Sequence, residues 1–370
     1  MKKVLFFIPN LSVGGAEKVL VNLVNNMDRT KFDITVQVLF AGGVNEQFLK
    51  NDIKYKACFK KTFKGNSRIL KIFSPDMLYK RFIKEHYDIV ISYLEGPTAR
   101  IVAGCSDKDT KLVCWIHCRF DSQETAAVGF RDFAEAKKLF HSFDKIICVS
   151  NWVQEYFCNT VGIPSDIEVL YNTNNSKEVY QKSLLPVDDV IFDKDCFNLC
   201  SVGKIEPVKG FDRLARIHKR LLDNGIKNKV YILGDGSQKN ELSTYLKQNQ
   251  LENSFVFLGY KTNPYRYVSK CDLFVCSSIS EGFSTAATEA LIVGTPVCTV
   301  EVSGMREMLG EHNEYGIVTE NGEDALYEGI LRLLNDSELM AHYKKQAIIR
   351  GRYFSTENTV KAVEEMFLSL

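Results

Sequence analysis

A chain of 370 residues, 45% hydrophobic, 25% charged and 11% aromatic, has room for two domains. That composition excludes a disordered chain, a coiled coil and a collagen-like fibre. With 47 basic against 46 acidic residues the net charge is +1. Bulk charge therefore gives no hold on nucleic acid, and no nucleic-acid partner is expected.

The first apolar run, 4–8, follows Met1-Lys2-Lys3 and imitates the start of a signal peptide. It stops at Pro9-Asn10 without a cleavage site, so it reads as a first strand. Further strands are predicted over 34–39, 89–93, 112–116, 146–149 and 167–170, with helices over 16–26 and 124–140 between them. Residues 172–195 are polar and acidic, contain Pro186 and show no clear strand, so a linker is placed there. The alternation then restarts, with strands over 197–202, 230–233, 255–258, 273–276 and 297–300. Continuous apolar strands alternating with helices imply parallel sheets covered on both faces. Right-handed crossovers wind such sheets doubly.

The expected architecture is α/β, with two Rossmann-like doubly wound domains, 1–180 and 190–355, facing across a cleft. The amphipathic segment 356–370 is expected to pack back on the first domain. The eleven cysteines are odd in number and form no C-x-x-C pair. They read as free thiols in a reducing compartment, without a metal site. No stretch approaches the roughly 18 to 20 apolar residues of a spanning helix. The expected location is the cytoplasm, including the cytoplasmic face of a membrane.

The second half carries the densest chemistry. Ser280-Glu281-Gly282-Phe283-Ser284-Thr285 follows a predicted strand and opens a helix that contains Glu289. A helix N-terminus offers free N–H groups and a favourable dipole to anions, and Ser284 or Thr285 can cap it. Carboxylates beside such a place suit sugar hydroxyls rather than phosphate. Glu281 as a plain cap and Glu289 on a solvated face remain the alternatives. Gly203-Lys204 and Lys209-Gly210 flank a turn after strand 197–202. Two lysines there can clamp a diphosphate, or be ordinary surface lysines. Gly234-Asp235-Gly236 is a tight turn at the same sheet edge, and G-x-G-x-x-G is not completed, because Lys239 takes the last place.

Taken together, Gly-Lys-x4-Lys-Gly (203–210), Gly-Asp-Gly (234–236), Phe-Leu-Gly (257–259) and Glu-x7-Glu (281–289) occur in one order and spacing. With Gly14-Gly15-Ala16-Glu17 after the first strand, the chain resembles the retaining nucleotide-sugar glycosyltransferases of family 4, which have the GT-B fold. The resemblance covers nearly the whole chain and is weakest over 42–86. It implies that Lys204, where the family usually has arginine, and Lys209 hold the donor diphosphate. Glu281 would bind hydroxyls of the transferred sugar, Glu289 the ribose, and Gly282, Phe283, Ser284 and Thr285 the phosphates. Gly203 and Gly234 would border the donor, Gly259 and Tyr260 its base, and the Gly14-Gly15 loop would close over the phosphates. His117, after strand 112–116, would contact the donor sugar or position the reacting groups; a structural histidine is the alternative. Glu95, on the same edge, is a candidate for acceptor hydroxyls. No D-x-D stands at a strand end, so neither a metal nor another cofactor is expected.

Residues 54–86 carry ten basic residues against Asp76 and Glu85, interleaved with Phe59, Phe63, Ile69, Leu70, Ile72 and Phe73. Basic amphipathic segments with aromatics dock on anionic membranes; an ordinary solvated helical face is the alternative. The resulting expectation is transfer of a hexose from a UDP-sugar, with GDP-sugars open, to a lipid-linked glycan in cell-surface polysaccharide synthesis. A UDP-sugar epimerase, a GDP-mannose-dependent mannosyltransferase and a non-catalytic GT-B scaffold are its rivals.

Overall fold

The computed structural model describes the chain except Val13, residues 164–166, Gly282 and Ser303. The chain divides into two compact units, residues 1–173 with 356–370, and residues 174–355.

The first unit is built on a seven-stranded sheet. Its strands are β1 (Lys2–Ile8), β2 (Phe32–Phe40), β3 (Lys54–Phe59), β4 (Ile89–Ser92), β5 (Lys111–Ile116), β6 (Lys145–Cys148) and β7 (Glu168–Val169). Their order is β3-β2-β1-β4-β5-β6-β7, every neighbour parallel, with Val4 opposite both Ile34 and Ile89. Val4 to Ile8 and Ile89 to Ile91 are wholly buried, as two-sided helix cover requires. Two sequence expectations change here. Residues 54–59 belong to the basic segment for which a solvated helical face was the alternative, and they form the strand β3. It is an edge strand, and its lysines Lys54 and Lys56 keep that edge polar. The single helix expected over 124–140 is two, Gln123–Ala126 and Phe133–Phe140. Gly129 at φ 88° breaks it, and Asp132 caps the restart by accepting from Glu135 N.

The C-terminal helix Thr356–Ser369 belongs to this unit. Phe367 is fully buried, with its ring 5.8 Å from Phe6 and 6.1 Å from Phe32. Glu364 accepts the Asp28 N–H at 2.6 Å, and Lys2 Nζ donates to the Phe367 carbonyl at 2.9 Å.

The second unit has a six-stranded parallel sheet: β8 (Phe197–Val202), β9 (Asn228–Leu233), β10 (Phe255–Gly259), β11 (Leu273–Cys276), β12 (Val297–Val300) and β13 (Ile317–Thr319). The order is β10-β9-β8-β11-β12-β13. The segment 172–195 is not a bare linker. It holds the helix Ser176–Ser183, capped by Asn175 and bonded to the second unit through Asn263 and Ser269. All eleven cysteines are free; Cys114, Cys148, Cys200, Cys271, Cys276 and Cys298 are buried, and Cys118 is exposed.

In both sheets the chain order reverses once, between β1 and β4 and between β8 and β11. Loops diverge on opposite sides at such a point and leave a crevice beyond the strand ends, where open α/β sheets bind ligands.

Candidate functional site

In the second unit, the loops after β8 and β11 border this crevice. Three bonds sew them together. The Ile279 N–H donates to the Val208 carbonyl at 2.7 Å, Ser277 Oγ to the Lys209 carbonyl at 3.0 Å, and Arg213 Nε to the Ser277 carbonyl at 2.6 Å. Arg213 also donates to the Ser278 carbonyl at 2.6 Å and to Asn321 at 2.9 Å. Gly210, at φ 62°, permits the close approach. A Cβ there would lie 2.2 Å from the Ser277 carbonyl oxygen.

This stitching brings two predicted residues together. Lys209 Nζ lies 2.6 Å from Glu281 Oε1, with side chains 25% and 12% exposed. Ser278 Oγ donates to the same oxygen at 2.6 Å. An ammonium has three donors, so Lys209 can serve Glu281 and an anion at once. Lys204 is exposed on the same loop and makes no ion pair among the described residues.

Beside the pair starts the helix Thr285–Ile292. Ser284 is its N-cap and accepts from Ala287 N, while Phe283 and Ser284 are buried and Thr285 is half-buried. Gly282 lies outside the described residues. Glu289 is not on a solvated face. It is 7% exposed, and its Oε1 accepts from Tyr265 Oη at 3.1 Å. A carboxylate held that far from water has to meet donors, which suits vicinal hydroxyls.

The expected glycines form the floor. The Gly203 N–H donates to the Leu233 carbonyl at 3.0 Å and the Gly234 N–H to the Gly259 carbonyl at 2.9 Å, so all three close the strand ends in a row. A side chain on Gly234 would begin 1.9 Å from the Gly203 carbonyl oxygen. Gly259 sits at a register shift in β10, followed by Tyr260, 67% exposed. Sequence reading missed Ser278 and Tyr265. A hydroxyl pair, Ser277-Ser278, directly after a buried strand was the available signal for the first; nothing local marks Tyr265.

In the first unit the loops after β1 and β4 flank the switch point. Gly14 is the N-cap of the helix Gly15–Asn26, with Glu17 against it. Glu95 follows β4, and its Oε2 accepts the backbone N–H of His117 at 2.9 Å, beyond β5. Burial holds the Glu95 carboxyl above its usual range, opposed by that N–H. The Glu95 charge in turn pushes up the Cys118 thiol. Burial drives His117 down to about 3, so its imidazole is neutral. Its ring lies 4.9 Å from Tyr93, and its Nε2 is buried with no hydrogen-bond partner among the described residues. His218 is the contrast: also buried, it bonds Asn228 at 2.6 Å and Ser254 at 2.8 Å. A satisfied histidine is structural; the unsatisfied one at a strand end is the candidate.

Two family models match the chain, Glycosyltransferase Family 4 over residues 13–175 and Glycosyl transferases group 1 over residues 189–350. The chain belongs to the family 4 glycosyltransferases of the GT-B fold. This glycosyltransferase is 29% identical, over 96% of both chains, to an N-acetylgalactosamine-N,N'-diacetylbacillosaminyl-diphospho-undecaprenol 4-alpha-N-acetylgalactosaminyltransferase of Campylobacter jejuni. It is 22% identical to a UDP-Gal:alpha-D-GlcNAc-diphosphoundecaprenol alpha-1,3-galactosyltransferase of Escherichia coli, over 97% of this chain and 94% of that one. Among solved structures, Anabaena HepE in complex with UDP shares the fold across the full length of both chains, with a TM-score of 0.78 at 20% identity. Among the described residues no helix is long and apolar enough to cross a membrane.

Proposed function

We propose that the enzyme transfers a hexose from a UDP-sugar, with retention of anomeric configuration, to a lipid-linked glycan acceptor of cell-surface polysaccharide synthesis. The observation that carries this is the Lys209–Glu281 pair, held at the switch point of the second unit next to a capped helix N-terminus. One cation, one carboxylate and a row of N–H groups match a diphosphate joined to a sugar. The substrates in the relatives' names, diphosphoundecaprenol-linked sugars and UDP-Gal, support the acceptor class and the donor.

In this reading Lys204, Lys209 and the N–H groups from Phe283 to Thr285 take the diphosphate. Glu281 takes hydroxyls of the hexose, and Glu289 those of the ribose. Gly203 and Gly234 admit the donor to the strand ends, and Gly259 and Tyr260 border its base. The first unit takes the acceptor, with Glu95 accepting a hydroxyl. Gly14 and Gly15 and the neutral His117 also serve the donor. The acceptor oxygen bonds to the anomeric carbon on the face from which the diphosphate leaves. Its proton passes to a leaving phosphate oxygen. Positioning and stabilisation of the departing charge do the work, with no protein nucleophile. Residues 54–86 hold the enzyme to the cytoplasmic face of the membrane.

A thermal-shift panel of UDP-, GDP- and ADP-sugars tests the donor. At about 100 times its dissociation constant, the true donor stabilises the fold by about 2.7 kcal/mol. Transfer is then assayed with an undecaprenyl-diphosphate-linked glycan, and the product's anomeric coupling is read by NMR. Isomerisation of UDP-GlcNAc without acceptor would instead mark an epimerase. Folded Glu281→Ala and Lys209→Ala proteins with undiminished transfer would overturn the site.

A further inference from the structure

A cavity of about 840 Å³ lies in the first unit, between β3 and the helices Asn66–Ile72 and Pro75–Phe82. It is within the roughly 300–1,000 Å³ of small-ligand pockets. Its walls are Phe59, Phe63, Leu70, Phe73, Leu78 and Phe82. The Nε2 of Gln37, on the lining, donates to the Phe82 carbonyl at 3.0 Å and to Cys58 Sγ at 3.2 Å. The exposed charges of the lining are Arg81 and Lys84, and the six apolar walls offer a polar occupant no hydrogen bond in exchange for its water.

Protein interiors are close-packed, so an apolar space of this size needs a reason to stay open. The far wall is held away from β3 by two arginines that bind the C-terminal carbonyls of the helix Asn66–Ile72 and the turn after it. Arg100 is buried, and it donates to the carbonyls of Leu70 at 3.0 Å and Phe73 at 2.9 Å. Arg131 donates to those of Lys71 at 2.8 Å and Ile72 at 3.0 Å. Both arginines also pair with Glu135.

The mouth is apolar and cationic together. Ile69, Phe73 and Met77 are 44%, 43% and 56% exposed on the lining, and Ile72 is 71% exposed beside it. Lys54, Lys56 and Lys80 are neutralised by Asp33, Glu85 and Asp76. Arg81 and Lys84 on the lining are exposed and make no ion pair among the described residues. The same holds for Lys60, Lys61, Lys64 and Arg68 around them, and Lys71 is half-buried.

We propose that this cavity takes one fatty-acyl chain of an anionic phospholipid, with the headgroup at Arg81 and Lys84. The volume suits a single acyl chain and is too small for a whole undecaprenyl chain. The proposal deepens the membrane-docking reading of residues 54–86 and rests on it. It replaces adhesion by surface charge alone with insertion of a chain, so attachment survives salt that screens exposed charges.

The test uses the full chain, phosphatidylglycerol vesicles and the fluorescent fatty acid cis-parinarate. Ala57→Trp, from an exposed lining position on β3, fills the cavity without touching the proposed donor residues; Met77→Trp at the mouth is the second variant. Wild type should take up parinarate saturably and stay on vesicles in high salt. Both variants should keep transfer to a soluble acceptor but bind parinarate more than about tenfold more weakly, as loss of about two buried methylenes requires. Arg81→Gln with Lys84→Gln should weaken binding to anionic vesicles only. If the tryptophan variants hold vesicles and parinarate as wild type does, the cavity is refuted while membrane docking stands. If wild type ignores the vesicles, both fail. Displacement of parinarate by undecaprenyl phosphate but not by phosphatidylglycerol would overturn the assignment of the occupant.

Discussion

Replacing Lys209 by methionine separates stability from donor binding. The substitution keeps the stem and removes the charge, leaving Glu281, 12% exposed, with the Ser278 hydroxyl but without its cation. The pair is partly buried. Its loss should therefore cost about 1–3 kcal/mol, between a surface pair and a buried one. In a unit of this size that lowers Tm by a few degrees. A charge-assisted bond to a diphosphate contributes about 1.5–3 kcal/mol, so UDP affinity should fall roughly 10- to 150-fold. Calorimetric titration with UDP and a melting curve measure the two effects. Adding Glu281→Gln to Lys209→Met removes the carboxylate charge that Lys209 balanced. It should recover most of the stability and none of the affinity. A folded Lys209→Met protein that binds UDP within about twofold of wild type would refute the assignment of Lys209 to the diphosphate.

Acid should act through His117. The native imidazole stays neutral to about pH 3, whereas the unfolded one protonates near its ordinary 6.5. Between those values the unfolded chain binds more protons, so this histidine's contribution falls as pH drops below 6.5 and is flat above it. Wild-type stability relative to His117→Phe should fall by about 3 kcal/mol from pH 7 to pH 4 in chemical denaturation; a constant difference would show that the imidazole protonates in place. Gly210→Ala places a Cβ 2.2 Å from the Ser277 carbonyl oxygen in a left-handed conformation. It should lower Tm and weaken UDP binding together, because the Lys209 loop must move. Phe367→Ala empties a fully buried aromatic site against Phe6 and Phe32 and should destabilise by about 3–5 kcal/mol in urea. With no D-x-D at a strand end, transfer should continue at full rate in EDTA.

Central strands were legible because two-sided cover demands unbroken apolar runs, as in Leu5-Phe6-Phe7 and Ile89-Val90-Ile91. The edge strand β3 was not, since its exposed lysines serve solvent and imitate a helical face. Glu281, Glu289, Lys204 and Lys209 stood out by motif order and spacing. The environments of Glu289 and His117 did not, because burial comes from neighbours remote in sequence.

The sequence by itself determined the alternation of strand and helix, the placing of glycines at strand ends, and the residue types a sugar diphosphate requires. These are local properties, set by periodicity and by backbone freedom. Only the tertiary structure decided that Lys209 meets Glu281 across 72 residues, that Tyr265 reaches Glu289, and that Glu95 binds the backbone of His117. It also decided that the basic segment surrounds an apolar cavity. The reason is physical: such pairings depend on strand order at the two switch points, which is settled by packing of whole sheets and has no signature in any short stretch of chain.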